Sequence, residues 1–277
     1  MALEILGSVV YGFLSGLGEF LPISASAHQL IVGKLFGMSA RHLIDLFAHL
    51  GMLGALFLTS RQMFRRITRE RRLASLPPRR RKRPPDSQAI LDYALARSAF
   101  FPMLLGAVLF GIFAGDGDSL PMTAALFLLN GVILFVPQFL PAGNKDSRSM
   151  TPADGLLMGI FGALGILPGL SRIGGVLSMA AARGADKQKA LNWALLCLYP
   201  MLIVLLALDI FGLVRSGAGA FGIITVLQCI LAAAASCGGG YIAVHLMRFL
   251  AVKQGFSSFA YYSWGAALFT FILYMTT

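Results

Sequence analysis

A chain of 277 residues that is 57% hydrophobic and only 13% charged is too apolar for a soluble domain, where about a quarter of residues carry charge. Backbone polar groups in lipid are satisfied only by helices or closed barrels; the apolar runs here are continuous rather than alternating, which excludes a β-barrel and predicts an all-α polytopic membrane protein. The net charge of +11 is concentrated, with 11 Lys and Arg and one acid, Glu70, between Arg61 and Arg83; this fits a cytoplasmic loop (residues 60–92) obeying the positive-inside rule and touching anionic lipid, rather than a nucleic-acid surface.

In chain order, Met1 to about Leu14 is apolar, short for a full span, and lacks the basic start of a cleaved signal peptide. The stretch Gly16 to His28, GLGEFLPISASAH, follows, and then a second short apolar piece, Leu30 to Phe36. Two short pieces around a polar, Pro-containing turn predict a re-entrant hairpin. Spans are expected at about His42 to Thr59, Leu95 to Phe113 and Met122 to Leu140, with an acidic turn, Gly115 to Asp118, between the last two. The pattern restarts after the polar loop Pro141 to Pro152. Short pieces at about Ala153 to Leu167 and Val176 to Ala182 flank a second Pro/Gly turn, and spans follow at about Leu191 to Leu213, Phe221 to His245 and Phe256 to Tyr274.

Each half thus reads as one re-entrant hairpin plus three transmembrane helices, 1–140 and 153–277 of a single membrane domain. Gly16 to Pro22 and Gly162 to Pro168 share Gly-x4-Leu-Pro at an offset of 146. An odd number of crossings per repeat makes the second repeat inverted. With the basic loop inside, Asp116 and Asp118 fall outside, and Lys145, Arg148, Arg183, Lys187, Lys189, Arg248 and Lys253 fall inside; Lys34, Arg41 and Arg215 are exceptions. The two hairpins then enter from opposite faces and their tips meet near mid-membrane.

Ionisable residues at membrane depth are costly unless partnered, so they mark candidate sites. The first tip offers Glu19, Ser24, Ser26 and His28; the second offers Ser171, Arg172 and Gly174. Arg172 supplies a bidentate fork for phosphate or carboxylate, helix N-termini add donors, and Glu19 and His28 can move protons. Attack on phosphorus by a serine, by Glu19, by His28 or by water is compatible with these residues. Each also has a structural role available: an ion pair between hairpins for Glu19 and Arg172, helix caps for the serines, and packing for His28. Asp209 is expected to line the cavity or its outer mouth, His49 lies mid-span, and Asp45 is expected to snorkel or cap. Cys197, Cys229 and Cys237 lie in apolar runs without ligand spacing and are expected in the core.

At these residues the chain resembles the undecaprenyl pyrophosphate phosphatase family of the bacitracin-resistance type. One family block, E-F-L-P-[VI]-S-S-[TS]-G-H, stands here as Glu19 to His28; the other, P-G-x-S-R-S-G-x-T, stands as Pro168 to Val176. The departures are Ser15, where the family carries Glu or Gln, and Ala25, Ala27, Ile173 and Val176. The resemblance implies an integral enzyme of the bacterial plasma membrane, acting at its outer face. It would release phosphate from a polyprenyl pyrophosphate, recycle the carrier lipid of peptidoglycan synthesis and give bacitracin resistance. It also implies a divalent cation, Mg or Ca, with Glu19 as a ligand. Catalysis is expected from Glu19, His28 and Arg172, and phosphate binding from Ser24, Ser26, Ser171, Arg172 and Gly174. A homodimer is compatible with this expectation. The same inverted site would also suit a transporter or flippase of a lipid phosphate or other anion.

Overall fold

The computed structural model describes residues 2–38, 41–113, 119–215, 222–253 and 255–276. Among them are ten α-helices: α1 (Ala2–Phe20), α2 (Ala25–Leu35), α3 (Arg41–Ser75), α4 (Ser87–Phe113), α5 (Leu120–Phe135), α6 (Pro152–Leu164), α7 (Arg172–Ala182), α8 (Lys187–Arg215), α9 (Ile223–Lys253) and α10 (Ser258–Thr276). The described residues contain no β-strand beyond one bridge between Lys145 and Ala185. Among the described residues six helices are long and apolar enough to cross a membrane: α1, α3, α4, α5 with its 3-10 extension to Phe139, α8 and α9. Helices α6 and α7 are short and apolar. α10 has 19 residues, but its tyrosines, serines and threonines dilute its apolar character. The expected acidic turn at Gly115 to Asp118 and the expected span start at Phe221 lie outside the described residues.

Several boundaries differ from the expectation, α9 running on to Lys253 among them, and two of the differences bear on the site and the basic segment. α1 runs through Gly16 and Gly18 to Phe20, because these glycines serve close packing rather than a turn; a Cβ on Gly16 would lie 2.0 Å from the Ser236 carbonyl. The non-helical tip shrinks to Leu21–Ser24, where Pro22 cannot continue the helix. The basic segment is mostly not a loop. α3 continues in helix past Arg61 to Ser75, and α4 starts at Ser87, since arginine is a good helix former and the membrane boundary need not be a helix boundary. The connection is pinned to α3 by Arg66, which donates to Asp86 from Nη2 at 2.5 Å and holds its carboxyl below the usual range, and by Arg83, which pairs with Glu70. α6 begins in a full capping box, with Thr151 and Asp154 exchanging bonds and Pro152 in the first turn.

Packing is built from close approaches of small residues, the means by which membrane helices gain contact without a hydrophobic driving force. α1 lies on α9 and α6 lies on α4; α3 packs on α9 and α8 on α4; α5 packs on α10. In the first two pairs the contact is made at glycine. A Cβ on Gly12 would sit 2.1 Å from the carbonyl oxygen of Ala232, and one on Gly159 equally close to that of Ala99. The main core gathers Met52, Leu56, Met103, Met158, Trp193 and Leu195 from α3, α4, α6 and α8.

Introducing Leu at Gly12 or Gly159 overpacks these crossings at a cost of about 1–3 kcal/mol. The midpoint of thermal unfolding in detergent should fall by about 3–10 °C. Gly33→Ala, with open space at its Cβ position, should leave the midpoint within about 2 °C in the same scan.

Candidate active site

The end of α1, the turn after it and the start of α2 bring the first set of polar groups inward. Glu19 is 2% exposed. Ser24 takes the N-cap position of α2 with φ +66°, a left-handed conformation unusual for a residue with a side chain. Its hydroxyl does not cap α2. It accepts instead from the Gly169 amide of the other hairpin, at 3.0 Å, and lies 3.4 Å from the Ser26 hydroxyl. The His28 ring is held on both sides, with Nδ1 2.7 Å from the Ser24 carbonyl and Nε2 2.6 Å from the Tyr262 hydroxyl. A carbonyl can only accept, so Nδ1 carries a proton and, in the neutral ring, Nε2 accepts from Tyr262. Phe127 packs edge-on against the same ring.

The second hairpin turns between Leu164 and Ser171. Gly169 has φ +114°, and a Cβ there would come within 2.7 Å of the Thr123 carbonyl, so only glycine fits. Ser171 caps α7 by accepting from the Gly174 amide at 3.1 Å. Arg172, 8% exposed, is the first residue of α7 and reaches across to α1. Its Nε donates to Glu19 Oε1 at 3.1 Å and its Nη2 donates to Oε2. Among the described residues its hydrogen bonds go to Glu19 alone, which leaves the second edge of the guanidinium without a protein acceptor.

Asn130 of α5, 1% exposed, ties the tips together. Its amide nitrogen donates to the Pro22 carbonyl (3.1 Å) and to Ser263 Oγ on α10 (2.9 Å), and its oxygen accepts from the Ser171 amide (2.9 Å). Gly174 lies where the hairpins touch; a Cβ there would be 3.1 Å from Pro22 Cβ. The N-cap positions Ser24 and Ser171 stand 147 residues apart, and each precedes an 11-residue helix.

Of the expected residues, Glu19, Ser24, Ser171, Arg172 and Gly174 are joined directly across the two tips; His28 is tied in through Ser24, and Ser26 through its contact with Ser24. Asn130 and Tyr262 are additions. Asn130 had a sequence signal, a lone amide inside Leu128-Leu129-Asn130-Gly131-Val132. Tyr262 had none, since a tyrosine in an apolar helix reads as an interfacial aromatic. Asp45, expected to snorkel or cap, accepts from the Tyr11 hydroxyl on α1. Asp209 of α8 pairs with His49 Nδ1 of α3 at 2.6 Å. Among the described residues no group of three or more His, Cys, Asp or Glu side chains is arranged to hold a metal ion, and both oxygens of Glu19 are on Arg172. As arranged, the residues do not fit a protein-held cation.

A helical membrane protein with a buried carboxylate–guanidinium pair and a pinned histidine, all at the junction of two broken hairpins, has the parts of an anion-handling site. Residues 8–269 match the sequence profile described as bacitracin resistance protein BacA, and the chain belongs to that family. It is 28% identical to the undecaprenyl-diphosphatase of Methanobrevibacter smithii over 98% of both chains. It is 28% identical to that of Carboxydothermus hydrogenoformans over 93% of this chain and 92% of the relative, and 30% identical to that of a Nocardioides species over 72% of each.

Replacing Asn130 by Leu strands the Pro22 carbonyl and the Ser171 amide and should cost about 1–3 kcal/mol for each group left unpaired. Asn130→Asp keeps the acceptor for Ser171 and should lose less. Denaturant unfolding in detergent, followed by tryptophan fluorescence, ranks the two variants against wild type.

Proposed function

We propose that the chain hydrolyses a polyprenyl pyrophosphate, of the undecaprenyl type its relatives are named for, to the monophosphate and inorganic phosphate. The observation that carries this reading is the half-used guanidinium of Arg172, buried where the two hairpins meet. Glu19 fixes one edge of the fork and neutralises it in the resting site; the other edge receives the terminal phosphate in bidentate fashion. The leading N–H groups of α2 have no side-chain cap, because Ser24 is spent on Gly169, and a helix N-terminus of this kind favours an anion. Phosphoryl transfer calls mainly for positioning and charge neutralisation, which these groups supply.

In the proposed step a water attacks the terminal phosphorus in line. Its proton passes to His28 Nε2, which takes the water in place of the Tyr262 hydroxyl, while Nδ1–H stays on the Ser24 carbonyl and keeps the ring oriented. The bond from phosphorus to the bridging oxygen breaks, and the polyprenyl phosphate leaves with that oxygen and its electron pair. Inorganic phosphate then departs, and the proton returns to solvent from His28. We assign the site to the outer face, with the basic ends of α3 and α4 cytoplasmic, and the biological role to recycling the cell-wall carrier lipid and so to bacitracin resistance. The paired contacts of α1 with α9 and α6 with α4, and of α3 with α9 and α8 with α4, support a relation of the two halves by inversion.

Purified wild type should release phosphate from a polyprenyl pyrophosphate. Arg172→Ala, Glu19→Ala and His28→Ala should each lower kcat by about 10²-fold or more, the scale of losing a group that stabilises or transfers charge in the transition state. Wild type that moves the lipid between leaflets without releasing phosphate would instead establish the transporter reading. Ser24→Ala and Ser26→Ala separate water from hydroxyl attack: each should cost about tenfold or less, in line with one neutral hydrogen bond. A loss comparable to that of Arg172→Ala in either would assign the attack to that hydroxyl.

A further inference from the structure

Past Arg61, α3 leaves its apolar stretch but remains helical, and α4 and α8 pack against this extension. The three helices leave a cleft of about 380 Å³. Its wall is aromatic: Phe64 and Tyr199 touch with ring centroids 4.8 Å apart, and Phe101 stands 58% exposed. Two guanidiniums complete the lining, Arg71 and Arg97. Arg71 lies over the Tyr93 ring, 3.8 Å from its centroid. That contact uses the face of the guanidinium and leaves its N–H edge for an acceptor. Among the described residues neither Arg71 nor Arg97 has a carboxylate partner or a hydrogen bond, although Arg66, Arg69 and Arg83 nearby are all paired with Asp86 or Glu70.

Unpaired arginines at the end of an apolar bundle, beside an aromatic wall, present what a lipid with a phosphate headgroup requires: donors for the phosphate and an apolar track for its chain. The cleft lies on the basic extension rather than at the hairpin tips, so it is separate from the Glu19–Arg172 site. We propose that it binds one anionic phospholipid, with the phosphate on Arg71 and Arg97 and one acyl chain along Phe64, Tyr199 and Phe101. The binding is that of a formed site and not of diffuse charge. Arg65 and Arg72 test the difference, since they carry the same two charges on a neighbouring cleft of α3 that shares Phe64 but lacks Tyr93, Phe101 and Tyr199.

Native mass spectrometry of the full chain in detergent, titrated with phosphatidylglycerol or phosphatidylcholine, reads the site directly. Wild type should hold one phosphatidylglycerol about tenfold more tightly than phosphatidylcholine, whose choline cation is repelled by the two guanidiniums that take the shared phosphate. Arg71→Gln/Arg97→Gln should erase that preference, and Arg65→Gln/Arg72→Gln should keep it. Glycerol 3-phosphate, which has the headgroup chemistry without tails, should fail to displace the lipid at millimolar concentration. Equal losses in the two double variants would overturn the proposal in favour of diffuse charge. Full retention in Arg71→Gln/Arg97→Gln, or displacement by glycerol 3-phosphate, would also overturn it. If the double variant does not fold, Arg97→Gln alone, an exposed change on α4, carries the test.

Discussion

Neither Glu19 nor Arg172 could be buried alone. An isolated ion in a low-dielectric interior costs several kcal/mol, and its partner in good geometry is what makes burial tolerable. The partner is on the other hairpin, 153 residues away along the chain. The end of α1 must therefore meet the start of α7, and much of the surrounding structure serves that meeting. Glycines at 12, 16 and 159 let α1 and α6 lie almost backbone to backbone on α9 and α4. The short tips then touch each other. The ion pair is also incomplete in a useful way, because a guanidinium has two edges and Glu19 occupies one.

The neutral network around the pair gives it a fixed frame. Asn130 satisfies a carbonyl on one tip and an amide on the other, and Ser24 closes a second crossing to Gly169. In a dry interior each such group left open would be expensive, so the arrangement resists relaxing around an incoming ligand. Donors held in place before the charge arrives stabilise it without reorganisation.

Ionisable residues were the most legible part of the sequence. Glu19, His28 and Arg172 stand out in an apolar chain because membranes penalise them, and the same rule exposes Asn130. The partners of Asn130 were not legible: which carbonyl and which amide it meets depends on how α5 sits against both tips, a matter of packing and not of spacing. The helical character of the chain was read correctly from apolar run lengths, whereas α1, expected to be short for a span, is long enough to cross. Helix ends were read less well. The arginine-rich stretch after Thr59 looks like a loop because charge marks where the bilayer ends, yet α3 ignores that boundary. Gly16 and Gly18 suggested a break in α1 but act as contact surfaces. Tyr262 was hidden because nothing local distinguishes it from lipid-facing aromatics.

Ser24 holds a backbone angle that costs a side-chain-bearing residue about 1–2 kcal/mol, and its hydroxyl serves the far hairpin while its own helix goes uncapped. The bond that joins the two hairpins is thus the same one that keeps the Ser24 hydroxyl off the first amides of α2, so docking of the tips and exposure of those amides are a single arrangement.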